Sequence, residues 1–356
     1  MLDTNKFVKM LSENGYTHLC VVPCSFSKNL FNSSINNKKL IEYIPCASEA
    51  VACSVASGLK MSNKKPIVIV QSSGLTNLGS CITSLLVPYK VYFPIIVSWR
   101  TYNEGDSEIQ HKHLAKKLPD LVKAYGYDYE IIDKNNEDVA INQVNKCNES
   151  QTLCLLEKET FSPIDLNADY KLDLSKYPRR SEYLIKLNEE FSETDTIFIG
   201  TTGNTAREMY SFMPDTKNFY MAGNMGGALS VGLGAFLAGK KVFVCGGDAE
   251  FVMHLGGITT AGRYKNTSNN GFLAYIVFDN ESNKSTGGQG SYQNHVIYSQ
   301  IAKNSNFNIR NTISEVNDFE LSLKKDLINF CFFHVKCSYD DTVPRPPLDV
   351  VAKNNL

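Results

Sequence analysis

Short runs of apolar, often β-branched residues recur along this chain without the apolar–polar alternation of a half-exposed strand. Residues 66–71 (PIVIVQ) and 93–99 (FPIIVSW) are two such runs in the first half. Residues 196–200 (TIFIG), 242–246 (VFVCG) and 272–278 (FLAYIVF) are three in the second. A strand that reads as continuously apolar is buried on both faces. Runs of that kind, separated by stretches with helical spacing, predict parallel sheets covered by helices on both sides, the doubly wound α/β architecture.

The helical stretches fit between them. Residues 5–14 place Phe7, Met10 and Leu11 on one face, and residues 48–61 form a helix rich in small side chains. Residues 17–22 read as a strand closed by Pro23, and 153–156 as the last strand of the first half. Residues 160–176, with Pro163 and Pro178 near the ends, have little periodicity, after which the strand–helix pattern restarts. The 356 residues therefore divide into a domain over 1–165, a linker over 166–180 and a domain over 181–356. Residues 266–271 (NTSNNG) read as an exposed loop within the second domain.

Charge excludes some partners. With 36 basic and 37 acidic residues, nothing electrostatic points to nucleic acid or a membrane surface. No apolar stretch reaches the ~18 residues of a membrane span. The first residues lack the layout of a secretory signal, so a cytoplasmic location is expected. The ten cysteines are scattered and form no CxxC, which favours reduced, mostly buried thiols over a zinc site.

The most informative segment is Gly246-Gly247-Asp248-Ala249, followed 32 positions after Asp248 by Asn280 in Phe278-Asp279-Asn280-Glu281. Each piece follows a predicted strand, and ligands of parallel sheets bind at the carboxyl ends of strands. Asp248 offers a carboxylate, Asn280 an amide oxygen, and the backbone near Ser282 a carbonyl. Together with diphosphate oxygens these would complete the oxygen octahedron that magnesium requires. The glycines let backbone approach a diphosphate, and a helix starting at Asp248 turns its amino end toward it. Alone, a tight strand-to-helix turn accounts for this segment equally well. A nicotinamide reading is weaker, because no GxGxxG joins a first strand to a helix.

Other segments decide between these readings. They are Val22-Pro23-Cys24-Ser25, Ser73-Gly74-Leu75-Thr76-Asn77, Ser98-Trp99-Arg100, Gln110-His111, Thr201-Thr202-Gly203 with Arg207-Glu208, Gly223-Asn224-Met225-Gly226, Met253-His254-Leu255-Gly256 and Ser285-Thr286-Gly287-Gly288-Gln289. In this order, and over nearly the whole chain, they resemble the thiamine-diphosphate-dependent decarboxylases. The likeness is to the branch of phosphonopyruvate and sulfopyruvate decarboxylases, which lacks the middle domain of larger members. The resemblance implies a pyrimidine-binding domain followed by a diphosphate- and magnesium-binding domain, with thiamine diphosphate and Mg2+ as cofactors.

It also implies roles. Glu49, within Cys46-Ala47-Ser48-Glu49-Ala50, corresponds to the glutamate that activates the aminopyrimidine. Read alone, it is an exposed glutamate favoured at a helix start by the dipole. Thr202 and Gly203 contact the diphosphate, Gly223 accepts from the 4′-amino group, and Met225, beside Asn224, is the apolar wedge under the cofactor. Gly247, Asp248, Ala249, Glu250 and Asn280 complete the cofactor contacts, with Asp248, Asn280 and the Ser282 carbonyl on the metal. His111 is the proton donor, with His113 its neighbour, while His254 and Cys24 are expected to serve packing. Ser25, Asn77, Arg100 and Lys284 form the pocket for the substrate's acidic tail.

Two departures stand out. Ala249 occupies a motif position that is normally glycine, which introduces strain if its φ is positive. The interval from Asp248 to Asn280 is a few residues longer than is usual for the motif, which the 266–271 loop accounts for. The activity implied first is decarboxylation of 3-phosphonopyruvate to phosphonoacetaldehyde and CO2, a step of phosphonate biosynthesis. Sulfopyruvate is the alternative substrate; its decarboxylase is often divided between two short chains, so a single chain favours phosphonopyruvate. A non-catalytic subunit of this fold is a further alternative. Carboligases usually carry the missing middle domain. Family members assemble sites across a subunit interface, which implies a homodimer or homotetramer.

Overall fold

The computed structural model describes residues 1–102, 109–267, 270–326, 329–340 and 343–347. The chain forms two compact units. One comprises residues 1–171 with 283–290, and the other residues 172–282 with 291–347.

The first unit is built on a six-stranded sheet: β1 (His18–Val21), β2 (Glu42–Pro45), β3 (Pro66–Gln71), β4 (Ile95–Ser98), β5 (Asp128–Ile131) and β6 (Thr152–Leu156). The order is β2-β1-β3-β4-β6-β5, with every pair parallel. β3 shows why its sequence does not alternate. Ile67 and Ile69 enter the core on one face, Val68 and Val70 the core on the other, and all four are fully buried.

The second unit repeats the plan with β7 (Ile197–Gly200), β8 (Lys217–Tyr220), β9 (Lys241–Gly247), β10 (Phe272–Asp279), β11 (Asn308–Ile309) and β12 (Cys331–Lys336). Their order is β11-β12-β10-β9-β7-β8, again all parallel. β10 divides its side chains in the same manner: Ala274, Ile276 and Phe278 face one core, Leu273, Tyr275 and Val277 the other. These are the two doubly wound domains expected, with no middle domain.

Both sheets reverse their winding direction between β1 and β3 in the first and between β7 and β9 in the second, and again where β6 and β12 fold back inside β5 and β11. A crevice opens at such a point beyond the carboxyl ends of the strands. Residues 161–165, just before the stretch read as a linker, are held by a helix of the first unit. Asn29, Asn32 and Asn36, on the helix Lys28–Asn36, donate side-chain amides to the carbonyls of Phe161, Ile164 and Asp165. At the far end, Arg180 already opens the helix Arg180–Phe191. Residues 283–290 group with the first unit, where Gln289 Nε2 donates to Asn32 Oδ1 at 2.7 Å. The loop at 266–271 lies partly outside the described residues. Among those described, no helix is long and apolar enough to cross a membrane.

Candidate active site

In the first unit, Glu49 is the first residue of the helix Glu49–Met61, which follows β2. Ser48 caps that helix by accepting from Val51 N at 3.4 Å. Glu49 is only 3% exposed, so the reading as a solvated helix-start glutamate fails. The helix Ser72–Asn77 after β3 explains the burial. Asn77 Nδ2 donates to Glu49 Oε2 at 2.9 Å, and Glu49 packs directly over Gly74. A Cβ at Gly74 would fall 2.5 Å from Oε1 and 2.8 Å from Cγ. Asn77, expected in the substrate pocket, is thus bonded to this glutamate.

Arg100 follows β4 and is nearly buried. Its Nη1 donates to Ser25 Oγ at 2.6 Å, and the guanidinium lies 4.3 Å from the centroid of the Phe26 ring. Two of the four expected pocket residues therefore meet, in a pose fixed by a hydrogen bond and a cation–π contact. Lys284 opens the short turn Lys284–Thr286, in the segment that packs with this unit. On the helix Ile109–Ala115, His111 is buried and His113 exposed, which separates the two histidines. Cys24 Sγ sits 3.0 Å from Ser98 Oγ in a buried hydroxyl cluster with Ser27, consistent with packing.

In the second unit the loops after β7, β9 and β10 carry the other candidates. Gly203 adopts φ 94° and ψ −141°, a conformation open to glycine alone, and starts the helix Asn204–Phe212. Thr202 Oγ1 donates to the Ala222 carbonyl at 2.9 Å, tying this turn to the chain after β8. That chain leads through Gly223 to Asn224, exposed at φ 56°. Met225 is half-buried and belongs to neither apolar core of this unit, so it is not an ordinary core methionine. The His254 ring lies against Gly226, a packing contact.

Asp248 follows Gly247 directly and opens the helix Asp248–Met253, while Asn280 and Ser282 follow β10; all three are buried. Thr201 Oγ1, Asp248 Oδ2 and Ser282 Oγ are buried atoms without a hydrogen-bond partner. Such atoms are costly, and others such as Ser72 Oγ and Ser211 Oγ are scattered through the chain. The three lie on the loops after three neighbouring strands, as they do in a site that a bound polar group completes. Burial first, and then the charge of Asp279, pushes the Asp248 carboxyl up to about 7. Asn280 Oδ1 accepts from Ser282 N at 3.1 Å, which orients its amide.

Among the described residues no three His, Cys, Asp or Glu side chains gather around a common point. A cation here would rely on one carboxylate, an amide oxygen and a backbone carbonyl. That all-oxygen set suits magnesium rather than zinc. Ala249 lies inside the helix with an ordinary negative φ, so the missing glycine carries no strain. Glu250 is turned into the fold, where it accepts from Tyr275 OH at 2.7 Å, and its burial pushes its carboxyl up to about 7.

Comparison with known proteins joins the two halves. Residues 4–120 match the thiamine pyrophosphate enzyme N-terminal TPP binding domain, and residues 199–318 match the C-terminal TPP binding domain. A phosphonopyruvate decarboxylase of Streptomyces hygroscopicus is 26% identical, over 91% of this chain and 84% of its own. A sulfopyruvate decarboxylase of Methanosarcina acetivorans is 26% identical, over 88% and 84%. The sulfopyruvate decarboxylase subunit beta of Methanothermobacter thermautotrophicus is 34% identical over 44% of this chain and 81% of that subunit. The chain belongs to the thiamine pyrophosphate enzymes. Within that family its relatives are decarboxylases, and it is a carbon–carbon lyase of their kind.

For this thiamine pyrophosphate enzyme the number of chains no longer indicates substrate. The Methanosarcina sulfopyruvate decarboxylase spans both halves in one chain, so a single polypeptide does not favour phosphonopyruvate. Several residues that shape the sites carry no role in the sequence reading. Gly74 and Thr201 are among them, as are Asp279, His334 and Lys336. The available signal for the last two is a histidine and a lysine two positions apart in the otherwise apolar strand CFFHVK. Asp279 receives His334 Nε2 and Lys336 Nζ, both at 2.8 Å. Burial works to raise the Asp279 carboxyl, but these two partners outweigh it and hold it below its ordinary value.

The contact at Gly74 gives a first prediction. Gly74→Ala should displace the Glu49 carboxylate and lower kcat by about 10²-fold, the typical cost of a misplacement near 1 Å. Steady-state kinetics beside a thermal melt would check it. An unchanged kcat in a folded variant would show that the close approach has no catalytic consequence.

Proposed function

We propose that the protein is a magnesium- and thiamine-diphosphate-dependent decarboxylase that converts 3-phosphonopyruvate to phosphonoacetaldehyde and CO2. The observation that carries this reading is the buried, incompletely partnered Asp248 at the winding reversal between β7 and β9 of the second sheet. Asp248, Asn280 and the carbonyl near Ser282 would hold the metal, with Thr202, Gly203 and Gly247 around the diphosphate. The cofactor, when bound, supplies the nucleophile for the 2-oxo carbon and the sink for the electrons released with CO2.

The chain's own residues do the rest. Glu49, oriented by Asn77, holds a proton at N1′ of the pyrimidine. Met225 would fill the space beneath the cofactor, and the Gly223 carbonyl would accept from its 4′-amino group. His111 returns a proton to the carbon that has lost CO2. Arg100, with Ser25 and Lys284, binds the acidic tail; two cations suit a phosphonate dianion better than a singly charged sulfonate.

Sulfopyruvate remains the second reading, because relatives of both names match this chain across most of its length. Supplying each acid with thiamine diphosphate and Mg2+ and measuring CO2 separates the two. Release from sulfopyruvate alone would reject 3-phosphonopyruvate. Arg100→Ala should raise the substrate KM about tenfold or more while leaving cofactor affinity nearly unchanged, as expected for a lost charge-assisted contact. The reverse pattern would assign Arg100 to the cofactor. The proposal includes a cytoplasmic homodimer or homotetramer in which Glu49 of one subunit serves a cofactor anchored by Asp248 of another.

A further inference from the structure

We propose that Lys336 is a positioning residue for the metal loop, holding Asn280 in its coordinating pose through the acids on either side of it. The inference rests on the reading of Asn280 as a magnesium ligand. β12 runs beside β10 with Lys336 opposite Asp279, so its side chain emerges where β10 ends. Lys336 Nζ lies 2.8 Å from Asp279 Oδ2 and 2.5 Å from Glu281 Oε1. One ammonium therefore grips the residues before and after Asn280. His334 Nε2 supports the same Asp279 oxygen at 2.8 Å, and Thr312 Oγ1 sits 3.1 Å from His334 Nδ1.

The loop needs such a hold. Glu281 sits at φ 52°, in the left-handed region that residues with a Cβ avoid. Its N–H donates to Asp279 Oδ1 at 3.1 Å, and its carbonyl accepts from Ser291 N at 2.8 Å. The left-handed Glu281 stands between Asn280 and Ser282, the two proposed metal ligands of this loop. Without the ammonium, two acids flanking the ligand repel each other, and Glu281 loses the contact that offsets its backbone conformation. Lys336 has no place among the proposed metal ligands, so it acts through the loop alone.

The test is a calorimetric titration of Mg2+ in the presence of saturating thiamine diphosphate. Lys336→Gln should weaken the apparent Mg2+ affinity about 10- to 100-fold, the usual effect of losing a partner behind a metal ligand. Adding Glu281→Gly should restore it to within about threefold of wild type, because glycine takes the left-handed conformation freely and removes one of the opposed acids. A general loss of stability would not be repaired by that second change. Lys336→Gln binding Mg2+ as wild type does, or a defect that persists in the double variant, overturns the clamp. Should Lys336→Gln fail to fold, Lys336→Met, which keeps the stem and loses the charge, takes its place: the clamp predicts the same loss of about 10- to 100-fold, and wild-type affinity contradicts it. Wild-type protein that binds no Mg2+ with the cofactor would instead refute the proposed function.

Discussion

Glu49→Gln should lower kcat by about 10²- to 10⁴-fold, the range for losing a positioned acid–base group. The amide is nearly isosteric with the carboxylate, so its packing over Gly74 is kept and the thermal midpoint should move little. Glutamine cannot exchange a proton at N1′ as a carboxylate does, so the loss falls on turnover rather than on cofactor affinity. Glu49 has the geometry for proton exchange, being buried, aimed by Asn77 and backed by Gly74. The variant is checked by kcat and cofactor Kd measured separately. Full activity would remove Glu49 from the mechanism and, with it, the assignment of the first unit to the pyrimidine.

Asp248→Asn should abolish magnesium-dependent cofactor binding and, in the cofactor-free protein, raise stability. The two effects have one cause. In the cofactor-free chain the Asp248 carboxyl stands at about 7 against an ordinary 3.8, so the folded chain holds this proton more tightly than the unfolded chain does. That contribution to stability is present at low pH and lost as pH rises toward and through 7. At pH 8 the ionised group costs roughly 2–4 kcal/mol, which asparagine removes. Melts of the cofactor-free proteins should show the variant several degrees more stable at pH 8. The gain should shrink on acidification and vanish below about pH 4. A variant that is less stable at pH 8, or that still binds thiamine diphosphate only with Mg2+, contradicts this assignment. Mixing it with Glu49→Gln after joint refolding also tests the shared site. Restored activity supports pairing between subunits, and its absence in verified mixed oligomers argues against it.

Much of the architecture is legible in the sequence because buried parallel strands leave a plain signature. PIVIVQ and FLAYIVF each feed two cores, so neither face is free to be polar. The positions of Asp248 and Asn280 follow from the same rule, since both come directly after such strands. What the chain hides are pairings between residues far apart along it. Asn77 shows no link to Glu49 along the chain until the helix after β3 carries its amide there. Lys336 and His334 reach Asp279 only because β12 is the neighbour of β10 in the sheet, which the chain order does not state. The consequence of Ala249 depends on where a helix starts: with Asp248 as its first residue, the backbone is ordinary and the methyl is harmless. Glu250 shows the opposite case, a motif neighbour whose carboxylate turns inward to Tyr275.

The metal-anchored cofactor site is open to calorimetry: thiamine diphosphate titrated into the purified protein, with and without Mg2+. Saturable binding of one cofactor per chain is expected, requiring Mg2+ and absent in Asp248→Asn. No binding, or the same binding isotherm in the presence of a chelator, would contradict a cofactor held through magnesium.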